Sequence, residues 1–384
     1  RVMSQACARP RLTSAEQVMR SIIPSVQADN PAPSETSELR WREGRSAIDA
    51  RAAGAPMHLS RLISLTLGGI LANTDNTVVF GEDVGRKGGV YGATTQLQSA
   101  FGNARVFDTL LDEQSILGLA IGLAHNGIVP IPEIQFLAYV HNAEDQIRGE
   151  AATLSFFSDG VLANPMVIRI AGLGYQRGFG GHFHNDNALA VFRDIPGIIL
   201  ACPSRGDDAV RMLRGCYRLA AEQRRVVVFL EPIALYGTKD LHEDGDGGMS
   251  FCYDEIAGDL QPGEPGVEGG EDNADLAIVS YGNGAYLSRR AARSLEESGK
   301  SLRIIDLRWL VPLDLPASLD ARAGAQRLLI VDQCRRSGSP SEGRVTGLLE
   351  AGWRKPVSRL TAEDRFVPLG PASYELLPSE QGII

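Results

Sequence analysis

From Pro56 onward the chain alternates short apolar runs, each closed by glycine, proline or an acid, with longer stretches whose apolar residues recur at helical spacing. Thr77 to Phe80, Ile128 to Phe136, Pro165 to Gly172, Gly197 to Pro203 and Val226 to Tyr236 are short and almost wholly apolar, the pattern of strands buried on both faces. Met57 to Asn73 and Asp207 to Glu222 carry the 3.6-residue period of helices. Parallel strands need long crossovers, and crossover helices cover both faces of the sheet. The expected fold class is therefore α/β, with a doubly wound, mostly parallel sheet over 57–240. An acidic Gly/Pro-rich linker over 241–273 follows. A smaller α/β unit over 274–384 is expected to contain strands at 274–282, Leu302 to Leu310, Arg327 to Gln333 and Val357 to Asp364, with helices at Ala285 to Gly299, near Pro316 to Ala323 and at Arg344 to Trp353. Residues 1–56 read as an extension or linker, with a short helix over Ser14 to Ile23 that stops before Pro24. Tyr139 to Ser158 is expected to form one helix.

Length and charge narrow the partners. The 384 residues suffice for two domains with real cores. A net charge of −9 argues against nucleic acid, and no apolar run approaches the ~20 residues of a membrane span. The five cysteines lie far apart and include no CxxC, which fits reduced thiols in a cytoplasmic protein better than a disulfide framework or a zinc site. The first residues hold no apolar signal core and no initiating Met, as in an interior piece of a longer chain.

Arg105 to Gly127 places a carboxylate, Glu113, between a strand-like run and a helix of small and aliphatic residues expected to be buried on nearly all sides. Gly118 and Gly122 share one face, where a second helix could approach closely. The helix dipole favours an ionised acid at this end, whereas burial of a carboxyl favours its neutral form. Either Glu113 is a simple first-turn residue or this conflict is resolved by a partner. The turn Gly81 to Gly92 is glycine-rich but matches no nucleotide-binding pattern.

A second candidate is the loop after Gly172. It carries Gly174, Gly178, Gly180 and Gly181, then His182 and His184, two of six histidines in the chain. Proton chemistry suits histidine near neutrality, and glycine-rich loops after parallel strands commonly carry sites. Ordinary loop histidines, or an HxH metal pair lacking a recognisable third ligand, are the alternatives. Arg335 and Arg336 are read as an anion site or as surface charge.

The segments GEDVGRKGGVYG, FDTLLDEQSILGLAIGLAHNG, PEIQFLAYVHNAEDQI, GGHFHND and FLEPIALY, in this order, resemble the beta subunit of the thiamine-diphosphate-dependent 2-oxo acid dehydrogenase component, the group of pyruvate, branched-chain and acetoin enzymes. The resemblance runs from about Pro56 to the end. It implies a pyrimidine-binding-type domain followed by a transketolase C-terminal-type domain. It also implies an enzyme that decarboxylates a 2-oxo acid and transfers the acyl group reductively to lipoyl. In that family a carboxylic acid bonded to the cofactor's aminopyrimidine ring favours the imino tautomer that activates the thiazolium carbon, and Glu113 takes this place. Leu111, Gln135 and Tyr139 would line the aminopyrimidine pocket, and His184 would face the 2-oxo acid and serve acyl transfer; the role of His182 stays open. The resemblance further implies an alpha subunit, or a fused alpha portion, that holds magnesium and the diphosphate. The assembly would be a heterotetramer or an equivalent dimer of fused chains, working with a lipoyl-bearing acyltransferase or a carrier protein. The residues before Pro56 resemble the join in fused chains.

Departures bear on substrate and acceptor. The family's HSQSPE reads His184, Asn185, Asp186, Asn187, Ala188, Leu189, and its FADY reads Phe136, Leu137, Ala138, Tyr139. Two-carbon transfer to a sugar or carrier thiol, as in transketolase-like enzymes, is the alternative; a non-catalytic scaffolding subunit is another. Gly245, Asp246 and Gly247 precede Asn273 with 25 residues between, mimicking the diphosphate signature. They lack a strand before and a helix after, the context that lets a helix amino terminus receive phosphate, so this chain is expected to hold no metal itself.

Overall fold

The computed structural model describes residues 2–24, 54–175, 180–270, 273–312, 324–338 and 340–384. The strands of the two larger sheets are β1 (Thr77–Gly81), β2 (Val106–Asp108), β3 (Val129–Ile134), β4 (Met166–Gly172), β5 (Ile199–Ala201), β6 (Val226–Pro232), β7 (Gly266–Glu268), β8 (Leu276–Ser280), β9 (Leu302–Asp306), β10 (Trp309–Val311), β11 (Arg327–Arg335) and β12 (Val357–Ala362). The main helices are α1 (Leu59–Asn73), α2 (Glu113–His125), α3 (Gly206–Gln223), α4 (Gly282–Glu297) and α5 (Pro340–Glu350).

A seven-stranded sheet in the order β10-β5-β6-β4-β3-β1-β2 forms the larger unit. All its pairs are parallel except β10 with β5. Every residue of β1, β3, β4 and β6 is buried, because helices cover both faces. Leu62, Ile63 and Leu67 of α1 meet Val210 and Leu213 of α3 on one side. Ile116, Leu117 and Ala120 of α2, with Leu137 and Val140, close the other. The smaller sheet runs β12-β11-β8-β9-β7, with only its edge strand β7 antiparallel. The architecture is α/β, as the alternation of patterns implies.

Several elements depart from expectation. Tyr139 to Ser158 is not one helix. A 3₁₀ run, Leu137–Ala143, passes into a wide π turn, Gln146–Ala151, and then a short helix, Leu154–Phe157. Asn, Val and Gly in this run are weak helix formers, and Gly149 sits so close to Asp145 that a β-carbon there would lie 2.8 Å from its carboxylate. Leu302 to Leu310 is two strands in two sheets. The chain breaks at Arg308, whose φ of +57° is disfavoured for a side-chain-bearing residue. Its guanidinium holds Asp208 of α3 through bonds of 2.9 and 2.8 Å, which offsets that strain. The acidic Gly/Pro-rich stretch carries β7, and the helix near Pro316 lies outside the described residues.

Helix α2 is not buried all round. Ser115, Gly118, Leu119 and Gly122 form an open stripe, with nothing within 4 Å of a β-carbon built at either glycine. Of the extension, Val2–Cys7, Ala15–Met19 and Arg20–Ile22 are helical, and Ser21 exchanges hydrogen bonds with Phe156 and Ser155. The five cysteines are free thiols. Among the described residues no helix is long and apolar enough to cross a membrane.

Candidate active site

The carboxyl ends of β1, β2, β3 and β4 converge beside the start of α2, where open parallel sheets usually bind ligands. The chain leaves β2 at Asp108, and the amide of Thr109 donates to the Gly81 carbonyl at 3.0 Å. This bond fixes the short crossing into α2, so Glu113 enters the helix buried, at 5% exposure. Its Oε2 accepts from Asn142 Nδ2 at 3.1 Å. The Thr109 hydroxyl, four residues earlier in the chain, is buried without a hydrogen-bond partner among the described residues. Leu110 and Leu111 are 79% and 69% exposed, an apolar shelf in the crossing that leads to this acid. Leu111 thus lines an open surface rather than an enclosed pocket.

Gln135 is half-buried just beyond β3, and Tyr139 follows on the 3₁₀ run. The Tyr139 hydroxyl lies 3.1 Å from His184 Nε2. The imidazole meets Phe136 edge-on at 4.6 Å and Tyr139 at 5.9 Å. Its Nδ1 lies 3.3 Å from the Gly180 carbonyl, which can only accept. The proton of neutral His184 therefore sits on Nδ1, and Nε2 accepts from Tyr139. Only glycine serves at 180: a β-carbon there would lie 2.0 Å from His184 Nδ1.

Two groups shape the acidity of this corner: Glu82, which the sequence did not single out, and Tyr139, which it did. Glu82, in the turn after β1, is pushed above the usual carboxylate range by burial, then by Asp83 and Glu113. Tyr139 is pushed up by burial, then by Glu82 and Glu113, so its hydroxyl keeps its proton. A second network lies in the sheet below. Arg169 donates to Glu231 at 2.6 and 2.8 Å and to Glu133 at 2.6 Å, while Tyr236 donates to Glu231 at 2.5 Å. Burial raises Glu133, and Arg169 opposes that rise. The Tyr236 ring touches Tyr91 at 5.5 Å, and Tyr91 meets Phe136 at 6.0 Å, so these charges underpin the rings against His184. Gly81 permits this layer, since a β-carbon there would come 2.7 Å from the Glu133 carbonyl. Apolar strand patterning hides such partners.

The remaining candidates fall elsewhere. His182 stacks on Phe183 and Phe366, with centroids 4.0 and 4.9 Å apart. Arg335 is neither an open anion site nor loose surface charge, because it pairs with Asp186 at 2.9 Å. Asp246 of the signature mimic accepts from the amides of Leu241, His242, Glu243 and Gly248, and these bonds hold its carboxyl far below the usual range. Its oxygens organise a turn. Among the described residues no three His, Cys, Asp or Glu side chains gather as a metal site.

The comparisons agree with this architecture. Residues 55–238 match the transketolase pyrimidine-binding domain family, and residues 267–383 match the transketolase C-terminal domain family. The chain is 32% identical over 340 residues to the pyruvate dehydrogenase E1 component subunit beta of Bacillus subtilis, covering 86% of this chain and 97% of that one. The protein of the same name from Staphylococcus aureus strain Mu50 is 32% identical over 338 residues, with 86% and 97% covered. Among solved structures, a split-gene transketolase described as an inactive beta4 tetramer superposes with a TM-score of 0.62 at 19% identity, over 85% of this chain and 96% of that one. The ordered motifs, the two matched domains and the full-length relatives place the chain in the beta-subunit family of the thiamine-diphosphate-dependent 2-oxo acid dehydrogenase component, with the transketolase-like fold.

Proposed function

We propose that the chain is the beta part of a thiamine-diphosphate-dependent 2-oxo acid dehydrogenase, decarboxylating a 2-oxo acid and passing the acyl group to lipoyl. The observation that carries this reading is the buried carboxyl of Glu113, bonded to Asn142 and reached from the open apolar shelf of Leu110 and Leu111. Such a corner fits one flat heteroaromatic ring with polar edges, which is what the aminopyrimidine offers. Thiamine diphosphate, when bound, supplies a thiazolium carbon acid as the site of decarboxylation. Glu113 would hold a proton against the ring nitrogen, with Asn142 fixing its other oxygen. Gln135 and Tyr139 would border the ring, and Leu111 would cover it once a partner closes the shelf. His184, held by Tyr139 and Gly180, would orient the 2-oxo acid and serve acyl transfer.

The diphosphate and magnesium fall to an alpha chain or alpha portion, since the only signature-like run here is committed to a turn. The open stripe of α2 supports that partner. A heterotetramer, or a dimer of fused chains, in the cytoplasm is the expected assembly. Two-carbon transfer to a sugar or carrier-protein thiol is the alternative, kept open by Asn185, Asp186 and Asn187 where the family has other residues.

The test is the complex with the alpha chain, assayed with pyruvate, branched-chain 2-oxo acids and ketose phosphates. Glu113→Ala is expected to lower 2-oxo acid turnover by about 100-fold or more, the usual scale for losing a positioned proton-transfer group. Undiminished turnover would leave only a scaffolding role, and consumption of ketose phosphates alone would favour the transferase.

A further inference from the structure

The segment that carries His184 leaves β4 in the larger unit, yet most of its described anchors come from the smaller one. At its start, Asn283 of α4 donates to the carbonyls of Leu173 and Gly174, both at 3.1 Å, and Leu173 has a φ of +58°. Tyr374 donates to the Tyr175 carbonyl at 2.6 Å, and Tyr175 donates to the Pro378 carbonyl at 3.1 Å. At its end, Asn187 accepts from the Gly174 amide at 2.7 Å and donates to the Gln333 carbonyl at 3.0 Å, while Cys334 donates to the Asn187 carbonyl at 3.0 Å. Between His184 and Asn187 stands Asp186. Its Oδ1 lies 2.9 Å from Arg335 Nη2, and its Oδ2 lies 3.9 Å from Nε2 of His141, on the run that bears Tyr139. Arg335 is itself aimed, because its Nε donates to the Arg365 carbonyl at 3.0 Å.

We propose that Asp186 and Arg335 form a latch through which the smaller unit sets the position of His184, making both positioning residues for the reaction. The argument is geometric. His184 rests on Phe136 and Tyr139, and its Nδ1 meets the Gly180 carbonyl in the same loop. Its backbone is a short loop two residues from Asp186, and among the described contacts of that aspartate the ion pair is the one that reaches the smaller unit. A partly exposed pair adds little to overall stability, but a misplacement of about 1 Å at a reacting group can slow turnover by 10- to 100-fold.

This inference rests on the proposed function only for its turnover arm. The experiment uses the alpha–beta complex with Asp186→Arg, Arg335→Asp and the double charge swap. Each single variant is expected to lower kcat about 10-fold while leaving KM and thiamine diphosphate affinity unchanged, and the swap is expected to restore kcat to within about 3-fold. The second arm reads carbethoxylation of His184 by diethyl pyrocarbonate with mass spectrometry. That rate should rise in each single variant and return in the swap, whatever substrate the complex uses. Single variants with unaltered His184 reactivity, or a swap as impaired as the singles, would overturn the latch. Should a single variant fail to fold, Asp186→Asn and Arg335→Lys carry the same comparison.

Discussion

At His184 the two ring nitrogens face different partners, and that asymmetry decides what a substitution does. The Gly180 carbonyl accepts from Nδ1–H, which leaves Nε2 to accept from the Tyr139 hydroxyl. Tyr139→Phe keeps the ring contacts and deletes one neutral hydrogen bond of ~1 kcal/mol, so kcat should fall roughly 3- to 10-fold. Because burial and the nearby acids push the phenol upward, Tyr139 keeps its proton as the pH rises, and the deficit should be constant between about pH 7.5 and 9. Steady-state kinetics across that range check it; an unchanged kcat would mean that the hydroxyl does not orient the imidazole. Glu113, Gln135, Tyr139 and His184 can be singled out from the sequence as candidates because each sits inside a contiguous motif. Asn142 and Glu82 lie in those motifs too, but nothing in a sequence says which neighbour faces the acid. Arg335 was misjudged because its partner is 149 residues away. A charge reads as surface until something is found to pair with it.

At the scale of elements, the parallel strands were legible because burial on both faces leaves only apolar residues to write them with. The same rule hid Arg169, Glu133 and Glu231, charged residues within three neighbouring strands. The 3₁₀-to-π run was hidden because its apolar spacing imitates a helix, and the open stripe of α2 because glycine and leucine look alike whether covered or bare. Removing Arg169 leaves two buried carboxyls facing each other. Arg169→Met is expected to destabilise the fold by about 3–5 kcal/mol near neutral pH. The sign with pH follows from Glu133, already raised by burial, losing the cation that opposes the rise. A carboxyl whose folded pKa lies above its unfolded value stabilises most at low pH, and that contribution is lost as pH climbs through the folded value. The stability gap to the native protein should therefore widen from pH 5 to pH 8. Denaturant melts at both pH values measure it, and a gap that narrows toward pH 8 would contradict this account of the network.

For the whole molecule, the decisive relation lies between what is buried and what is left open. The acid at the head of α2 is enclosed, yet Leu110 and Leu111 in the crossing before it, and Gly118, Leu119 and Gly122 further along the helix, face outward in the single chain. A site with one finished wall binds a ligand through a fraction of its contacts, and the signature-like run that could suggest a diphosphate site, Gly245 to Gly247, is committed to a turn by the bonds that Asp246 accepts. The isolated chain should bind it at least ~100-fold more weakly than the alpha–beta complex, a difference of about 2.7 kcal/mol. Since a ligand that binds only the assembled state also stabilises that state, thiamine diphosphate with magnesium should raise the Tm of the complex and leave that of the lone chain nearly unmoved. Calorimetric titration of both forms decides the matter: equal affinities would mean that this chain holds the diphosphate itself, and the partner would then be needed for something other than completing the site.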